Sequence, residues 1–220
     1  MLAALRRIPF YNSEVQQGRW NGLPSPNAGL LDKKVGLVGF GTIPRYLVPM
    51  LRPFRADLQA YDPFVDDETL ESYGVARAES IEALFSQCDI VSNNLPRTKD
   101  TYHLIGKDLL NRMKDGALFV NTARGSTVDE NYLAEILKTG RINAILDVYE
   151  AEPLPTNSRL RGLDNAILMP HMAGPTVDRC ERVGLALADD IRRLTNGQPL
   201  FHEIPMEYAA KMTNDALPIQ

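Results

Sequence analysis

Short apolar segments that alternate with helical patterns are the feature that most constrains the fold of this chain. Most of these segments are rich in Val, Ile and Leu without strict alternation, which is typical of parallel strands buried on both faces. The helical patterns between them predict crossover helices, so the sequence predicts an α/β fold with a doubly wound parallel sheet. The candidate strands are 35–39, 58–62, 90–94, 117–121, 144–148 and 166–169. The candidate helices are 44–54, 80–87, 129–138 and 177–195.

The two ends of the chain lack this regular alternation. Residues 1–30 contain one possible short helix and then an irregular arm with several Gly, Pro and Asn residues, and residues 198–220 add at most one more helix. The long helix stops at Asn196-Gly197, a typical C-terminal signal. We therefore place one α/β domain at residues 31–197 and expect that neither end builds a second domain alone.

Composition and charge disfavour several kinds of partner. The chain is 44% apolar and 24% charged and carries a net charge of −4, which argues against nucleic acid or an anionic membrane surface as partner. No apolar run approaches the ~20 residues of a membrane span. Cys88 and Cys180 lie far apart without metal-ligand spacing, so we expect no metal site and two reduced thiols in a cytoplasmic protein.

A pair of glycines joins the first strand to the first helix. Gly39 would make the tight turn, and Gly41 would let the backbone approach a pyrophosphate at the helix N-terminus. The third position of the pattern is Pro44, which a first helical turn tolerates because its N–H would be unpaired there. Asp62 ends the next strand, 21 residues after Gly41, where a carboxylate accepts bonds from an adenosine ribose and repels a 2′-phosphate. The pattern predicts a dinucleotide site that prefers NAD over NADP; the alternatives are an ordinary tight turn and, for Asp62, a turn residue before Pro63.

Three polar residues follow three successive strands, at the edge where ligands bind in open α/β sheets. Arg124, Glu152 and His171 are the types needed to reduce a 2-oxo acid. A guanidinium binds the carboxylate and carbonyl oxygen, an imidazole that titrates near neutral pH donates the proton, and a carboxylate orients the imidazole. Each has a plain alternative as a solvated loop side chain. The other two histidines, His103 and His202, are expected to be structural or exposed.

Five segments carry a resemblance to a known family: VGLVGFGTIPRYL, CDIVSNNLPRTKDTYHLIG, FVNTARGSTVDENYLAEIL, ILDVYEAEPLP and MPHMAG. In this order and spacing, they resemble the coenzyme-binding portion of the D-isomer-specific 2-hydroxyacid dehydrogenases, from about residue 6 to residue 196. The resemblance implies an NAD-binding Rossmann fold and hydride exchange between NAD and a small 2-oxo or D-2-hydroxy acid. It also implies that Arg124, Glu152 and His171 are catalytic, and that two chains form a homodimer through this domain.

The resemblance further implies which residues meet the coenzyme. The backbone at Thr42 and Ile43 would contact the pyrophosphate, the loop at Leu95 and Pro96 would lie on the adenine side, and Asp147 would lie at the nicotinamide end. The implied set is Gly39, Gly41, Thr42, Ile43, Asp62, Leu95, Pro96, Thr101, Thr122, Ala123, Asp147, His171 and Ala173.

The chain also departs from the family pattern. Pro44 replaces the third glycine, and Asn94 stands where many members have His. Family members carry a further segment ahead of this match that forms most of a substrate domain, so we expect a truncated chain or isolated domain with remnants of that second domain at both ends. Two functions follow: an NAD-dependent D-2-hydroxyacid dehydrogenase, or an NAD(H)-binding module without turnover that serves as a sensor or assembly piece.

Overall fold

The computed structural model describes residues 1–20 and 27–209 and shows a parallel sheet with helices on both faces. The predicted α/β fold is confirmed. Part of the predicted arm, residues 21–26, and the tail from residue 210 onward lie outside the described residues. The described strands are β1 (Lys34–Val38), β2 (Asp57–Tyr61), β3 (Ala76–Arg77), β4 (Ile90–Asn93), β5 (Leu118–Asn121), β6 (Asn143–Leu146) and β7 (Ala166–Leu168).

Helices connect these strands, and further helices precede β1 and follow β7 along the chain. Side-chain oxygens cap three of them: Asp66, Ser80 and Asp129 accept bonds from backbone N–H groups in the first turns of α4, α5 and α7, respectively. The described helices are α1 (Leu2–Leu5), α2 (Ile8–Gln16), α3 (Thr42–Leu51), α4 (Asp67–Ser72), α5 (Ile81–Gln87), α6 (Lys107–Arg112), α7 (Glu130–Lys138), α8 (Val177–Thr195) and α9 (Met206–Ala209). None of them combines the length and apolarity needed to cross a bilayer.

The strand β5 shows why the strands are apolar without alternation. Leu118 and Val120 belong to the core cluster that contains Val48 of α3, whereas Phe119 between them belongs to the cluster that contains Phe85 of α5. All five side chains are at most 5% exposed. Burial of a side chain of this size contributes ~1.5–3 kcal/mol. Apolar residues on both faces therefore hold one helical layer on each side of the sheet.

The strand order places a ligand crevice near the middle of the sheet. The order is β3-β2-β1-β4-β5-β6-β7, so the chain moves outward in one direction from β1 and in the other direction from β4. Between two such neighbours the connecting loops diverge, which opens a crevice at the carboxyl ends of the strands. The turn after β1 and the loop after β4 meet at this point.

The two cysteines have opposite environments, which predicts opposite reactivity. Burial raises the pKa of the Cys88 thiol to about 11, whereas Cys180 is exposed on α8. Because the thiolate is the nucleophile, we expect iodoacetamide to modify Cys180 at neutral pH and Cys88 only after unfolding, or as the pH approaches 11. Mass spectrometry of the labelled chain measures this, with Cys180→Ser as the control. Rapid labelling of Cys88 in the folded chain at neutral pH would show that the thiol is accessible.

Candidate functional site

The glycine turn after β1 is built as the sequence predicts. Gly39 has a φ of +85°, a conformation that side-chain-bearing residues rarely adopt. An ideal Cβ on Gly39 would lie 3.2 Å from the carbonyl oxygen of Asn94, so the turn lies against the loop after β4. Gly41 is the N-cap of α3 and supplies no side-chain cap. The N–H groups at the start of α3, at Thr42 and Ile43, are therefore left for an anion.

Asp62 holds this turn in place from the neighbouring strand. One carboxylate oxygen accepts the N–H of Phe40 at 2.8 Å, and the other accepts the N–H of Phe64 at 2.9 Å. Each oxygen has a second lone pair, so these bonds leave capacity for ribose hydroxyls. The bond from Phe64 is the turn before Pro63 that the sequence offered as an alternative for Asp62, whereas the bond from Phe40 was not anticipated; the coenzyme contact stays a prediction.

The proline in the third position of the glycine pattern lies within the first turn of α3. Pro44 is the third residue of the helix and is buried. A proline at this position costs no helical hydrogen bond, because the first N–H groups of a helix have no intrahelical partner. The helix accordingly begins at Thr42 without interruption.

The loop after β4 is closed by its own side chains. The hydroxyl of Thr101 donates to the carbonyl of Pro96 at 2.7 Å and accepts the N–H of Thr98 at 2.9 Å. The N–H of Leu95 donates to the side chain of Asn93 at 3.1 Å. Thr101 therefore shapes the loop that carries Leu95 and Pro96, all three of them in the set implied by the family resemblance.

A buried polar network fixes the backbone of Arg124. The carbonyl of Arg124 accepts bonds from the Asn121 amide at 3.2 Å and the Thr127 hydroxyl at 2.8 Å. The Asn93 amide donates to both Asn121 and Thr127, and the side chains of all three are almost fully buried. The Asn121 oxygen also accepts the N–H of Ala123. Because each group has a partner, the network can hold the loop in one conformation.

Glu152 and His171 form a direct carboxylate–imidazole pair. The Glu152 Oε2 atom lies 2.6 Å from His171 Nδ1, and Oε1 accepts the N–H of Tyr149 at 2.9 Å. The two side chains are 35% and 50% exposed, so the pair is open to a substrate. With Nδ1 held by the carboxylate, Nε2 is the ring nitrogen left for a substrate.

Asp147 holds the loop that carries this histidine. Its two carboxylate oxygens accept the N–H groups of Met172 and Ala173, both at 2.8 Å, and its side chain is buried. His171 itself has a φ of +50°, in the left-handed region. The two bonds immediately after it hold this conformation, which a β-carbon disfavours.

The arginine loop and the glutamate loop touch through a glycine. An ideal Cβ on Gly125 would lie 2.5 Å from the backbone nitrogen of Glu150 and far inside van der Waals contact with the carbonyl group of Tyr149. The peptide of residues 149–150 therefore packs directly on Gly125. This contact joins the turn after Arg124 to the segment that leads to Glu152.

Two ionisable side chains near these loops have raised pKa values. Burial, and then the neighbouring Glu150 carboxylate, raise the pKa of Glu130 above its ordinary value. Burial also raises the pKa of Tyr149, whose hydroxyl donates to the carbonyl of Met169 at 2.8 Å. Tyr149 thereby ties the glutamate loop to the strand end that precedes His171.

Another groove lies away from these residues. It has a volume of about 560 Å³ and is lined by the N-terminal helical segment and by β6, β7 and the residues just before β7, among them Arg7, Phe10 and Asn143. None of the predicted site residues lines it. The glycine turn and the Glu152–His171 pair lie elsewhere, at the carboxyl edge of the sheet.

Comparison with known proteins places this geometry in a family context. Residues 1–173 match the NAD-binding domain of the D-isomer specific 2-hydroxyacid dehydrogenases. The D-3-phosphoglycerate dehydrogenase of Archaeoglobus fulgidus is 37% identical over 201 residues, which cover 91% of this chain and 38% of that protein. The hydroxypyruvate reductase of Thermotoga maritima is 35% identical over 195 residues, which cover 87% of this chain and 62% of that protein.

Solved structures give the same result. The crystal structure of a glyoxylate reductase from Paecilomyes thermophila superposes with a TM-score of 0.83 and 30% sequence identity, and the match covers 94% of this chain and 62% of that one. The chain thus spans between 38% and 62% of the length of these three proteins. The NAD-binding domain match confirms the coenzyme predicted from the glycine turn.

Proposed function

Because the chain belongs to the D-isomer-specific 2-hydroxyacid dehydrogenase family, we propose that its carboxyl-edge site exchanges a hydride between NAD(H) and a small 2-oxo or D-2-hydroxy acid. The observation that carries the proposal is the 2.6 Å contact between Glu152 and His171 Nδ1. An imidazole held on one nitrogen by a carboxylate is suited to give and take a proton at the other.

The described residues fit NAD. The uncapped start of α3 and the close approach at Gly39 suit a pyrophosphate, and Asp62 is placed for the adenosine ribose. The proposal also assigns Leu95, Pro96 and Thr101 to the adenine side and Thr122, Ala123, Asp147 and Ala173 to the nicotinamide end. When bound, NAD supplies the hydride donor or acceptor.

Each catalytic side chain has a separate task in this proposal. Arg124 binds the substrate carboxylate and the carbonyl oxygen with its planar guanidinium; one of its nitrogens already donates to the Ala123 carbonyl at 2.8 Å, which limits its movement. His171 gives a proton from Nε2 to the carbonyl oxygen during reduction and takes it back during oxidation. Glu152 keeps the other ring nitrogen protonated and the ring oriented.

Turnover is tested by following NADH absorbance with glyoxylate, hydroxypyruvate, pyruvate and phenylpyruvate. The proposal predicts NADH consumption with at least one of them. The second candidate, which the glycine turn and the uncapped start of α3 support on their own, is an NAD(H)-binding module without turnover. Measurable NADH binding with no consumption of any of the four acids would support that module and reject turnover by this chain.

The coenzyme preference predicts an effect of Asp62→Asn. The amide removes the negative charge that repels a 2′-phosphate but keeps an oxygen for one of the two backbone N–H groups. We expect the ratio of NADPH to NADH dissociation constants to fall by about tenfold, which corresponds to ~1.4 kcal/mol. Fluorescence titration measures both constants. Asp57→Asn, at the opposite end of β2, should leave the ratio unchanged. An unchanged ratio in Asp62→Asn would remove this carboxylate from the site.

The homodimer and the cytoplasmic location are also proposals, which rest on the family resemblance and on the composition. Light scattering of the purified chain tests the first: a mass near 49 kDa, twice the 24.5 kDa of one chain, is expected, and a monomer mass at all concentrations would contradict it.

A further inference from the structure

A second histidine lies against a carboxylate two residues from Glu152. His103 Nε2 is 2.7 Å from Glu150 Oε1, and the two side chains are 33% and 29% exposed. Among the described residues, no acceptor is aligned with Nε2 for a hydrogen bond, so any attraction across this short contact comes chiefly from charge. The contact is therefore attractive when the imidazole is protonated.

Glu150 is also held from its other side, by the first residue of α7. The N–H of Glu130 donates to Glu150 Oε1, and the N–H of Glu150 donates to Glu130 Oε2, both at 3.0 Å. This reciprocal arrangement brings two carboxylates together. Their proximity adds to burial in raising the pKa of Glu130, so a positive charge beside the two carboxylates would stabilise them. His103 is the histidine in contact with Glu150.

The backbone of His103 is attached to the arginine loop. Its N–H donates to the carbonyl of Ser126 at 2.9 Å, within the turn that follows Arg124. Its φ is +49°, in the left-handed region that residues with a side chain rarely adopt. Its ring is stacked on Tyr102, with the ring centroids 4.1 Å apart. His103 thus spans from the turn after Arg124 to the loop before Glu152.

A displacement of Glu150 would be transmitted to the Glu152–His171 pair through the peptide that joins Tyr149 to Glu150. The Tyr149 N–H donates to Glu152 Oε1, and the peptide between Tyr149 and Glu150 packs on Gly125. If Glu150 shifts, the Tyr149 amide shifts with it, and Glu152 loses the bond that orients it toward His171.

We propose that His103 is a positioning residue for the Glu152–His171 pair, acting through Glu150 and Glu130. The imidazole lies against the Glu150 carboxylate and keeps the 149–152 loop against the arginine loop. The catalytic meaning of this inference rests on the proposed function. The inference itself concerns one hydrogen bond, between Glu152 and His171, in the chain without substrate.

The tautomer of neutral His171 tests the proposal. The bond to Glu152 favours a proton on Nδ1, whereas a free imidazole favours Nε2, and the nitrogen chemical shifts distinguish the two forms. The chain has three histidines, so each signal can be assigned by substitution. A change in nearby charge alone alters the fraction of the His171 ring that is protonated on both nitrogens. In the neutral ring, the local hydrogen bond still decides which nitrogen carries the proton.

Four variants give the comparison. We expect His103→Gln to shift His171 toward the Nε2–H form and His103→Lys, whose ammonium attracts the Glu150 carboxylate, to restore the Nδ1–H form. The matched control is His202→Gln, because His202 forms a similar pair with Asp190 at 2.8 Å in another part of the chain; it should behave as the unmodified chain. If circular dichroism shows that His103→Gln does not fold, Glu150→Gln provides the same tautomer test, because it removes the charge that His103 faces.

The outcomes separate this inference from the proposed function. An unchanged tautomer in folded His103→Gln, or in Glu150→Gln if the former does not fold, overturns the positioning role, whatever the activity. If the chain turns over a 2-oxo acid, we also expect His103→Gln to lower kcat by up to about 10²-fold while the NADH dissociation constant stays the same. If no acid is turned over, the proposed function fails and the tautomer comparison still stands.

Discussion

Gly125→Ala is expected to lower the free energy of unfolding by about 3 kcal/mol, near the upper end of the cost of overpacking. The added Cβ would overlap the carbonyl group of Tyr149 and lie 2.5 Å from the backbone nitrogen of Glu150. Both are backbone atoms, so no side-chain rotation relieves the overlap, and the two loops must separate. For a chain of this size the melting temperature should fall by ~6–12 °C. Activity should fall further than stability alone explains, because Arg124 and Glu152 lie on the separated loops.

Thermal and urea unfolding followed by circular dichroism measure this effect. The matched control is Gly184→Ala on α8, where an added Cβ meets no atom of the described residues within 4 Å and alanine's helix propensity stabilises the helix by up to ~1 kcal/mol. If Gly125→Ala unfolds at the same temperature as the unmodified chain, the close packing of the two loops is wrong.

His171→Asn is expected to reduce turnover by ~10²–10⁴-fold, the usual contribution of a positioned general acid or base, while NADH affinity changes much less, since most coenzyme contacts are made by other residues. Asparagine retains polarity but cannot exchange a proton near neutral pH. The comparison requires the 2-oxo acid found active in the substrate survey, with kcat, KM and NADH binding measured separately. A variant with undiminished kcat would remove His171 from the acid–base role.

Glu152→Gln should also be strongly impaired, for a reason specific to this site. Both oxygens of Glu152 accept a bond, one from Tyr149 and one from the His171 ring. A glutamine has one acceptor oxygen, so one of these two bonds must be lost. Because Glu152 acts through His171, the double variant with His171→Asn should be no slower than His171→Asn alone. Additive losses would indicate that the two residues act independently.

Most of the sheet was predictable because its strands are buried. The predicted strands agree with β1, β2, β4, β5, β6 and β7 to within two residues at each end, and the helix 177–195 agrees with α8. The elements that the sequence did not indicate are short: β3 has two residues, and α4 and α6 have six each. Segments of this length contain too little periodicity for a pattern to stand out.

The candidate site was predictable where a motif lies within one strand and its following loop. Glu152 and His171 were expected near each other because both follow strands at the ligand-binding edge of the sheet, and the structure places them in contact. The supporting contacts of Asn93, Asn121 and Thr127 were not predicted. The one available signal was that two apolar strands end in a buried asparagine, a costly choice unless each amide has a partner.

The other contacts of the site were not predictable because they join residues that are far apart in the sequence. Nothing local in the sequence relates His103 to Glu150, or Gly125 to Tyr149, because these contacts depend on how three loops come together at one edge of the sheet. Asp62 and Asp147 were expected to face the coenzyme, and each also accepts two backbone N–H groups. The residue types were visible in the sequence, whereas their supporting roles needed the fold.

The position of bound NADH tests the central claim most directly. The claim is that the coenzyme extends along the carboxyl edge from the glycine turn to the Glu152–His171 pair. NMR spectra of the labelled chain during NADH titration measure which groups respond. We predict that the amides of residues 39–43 and the His171 imidazole change at the same NADH concentration. Binding that leaves both unchanged, or that instead perturbs the groove at Arg7, Phe10 and Asn143, would contradict the account.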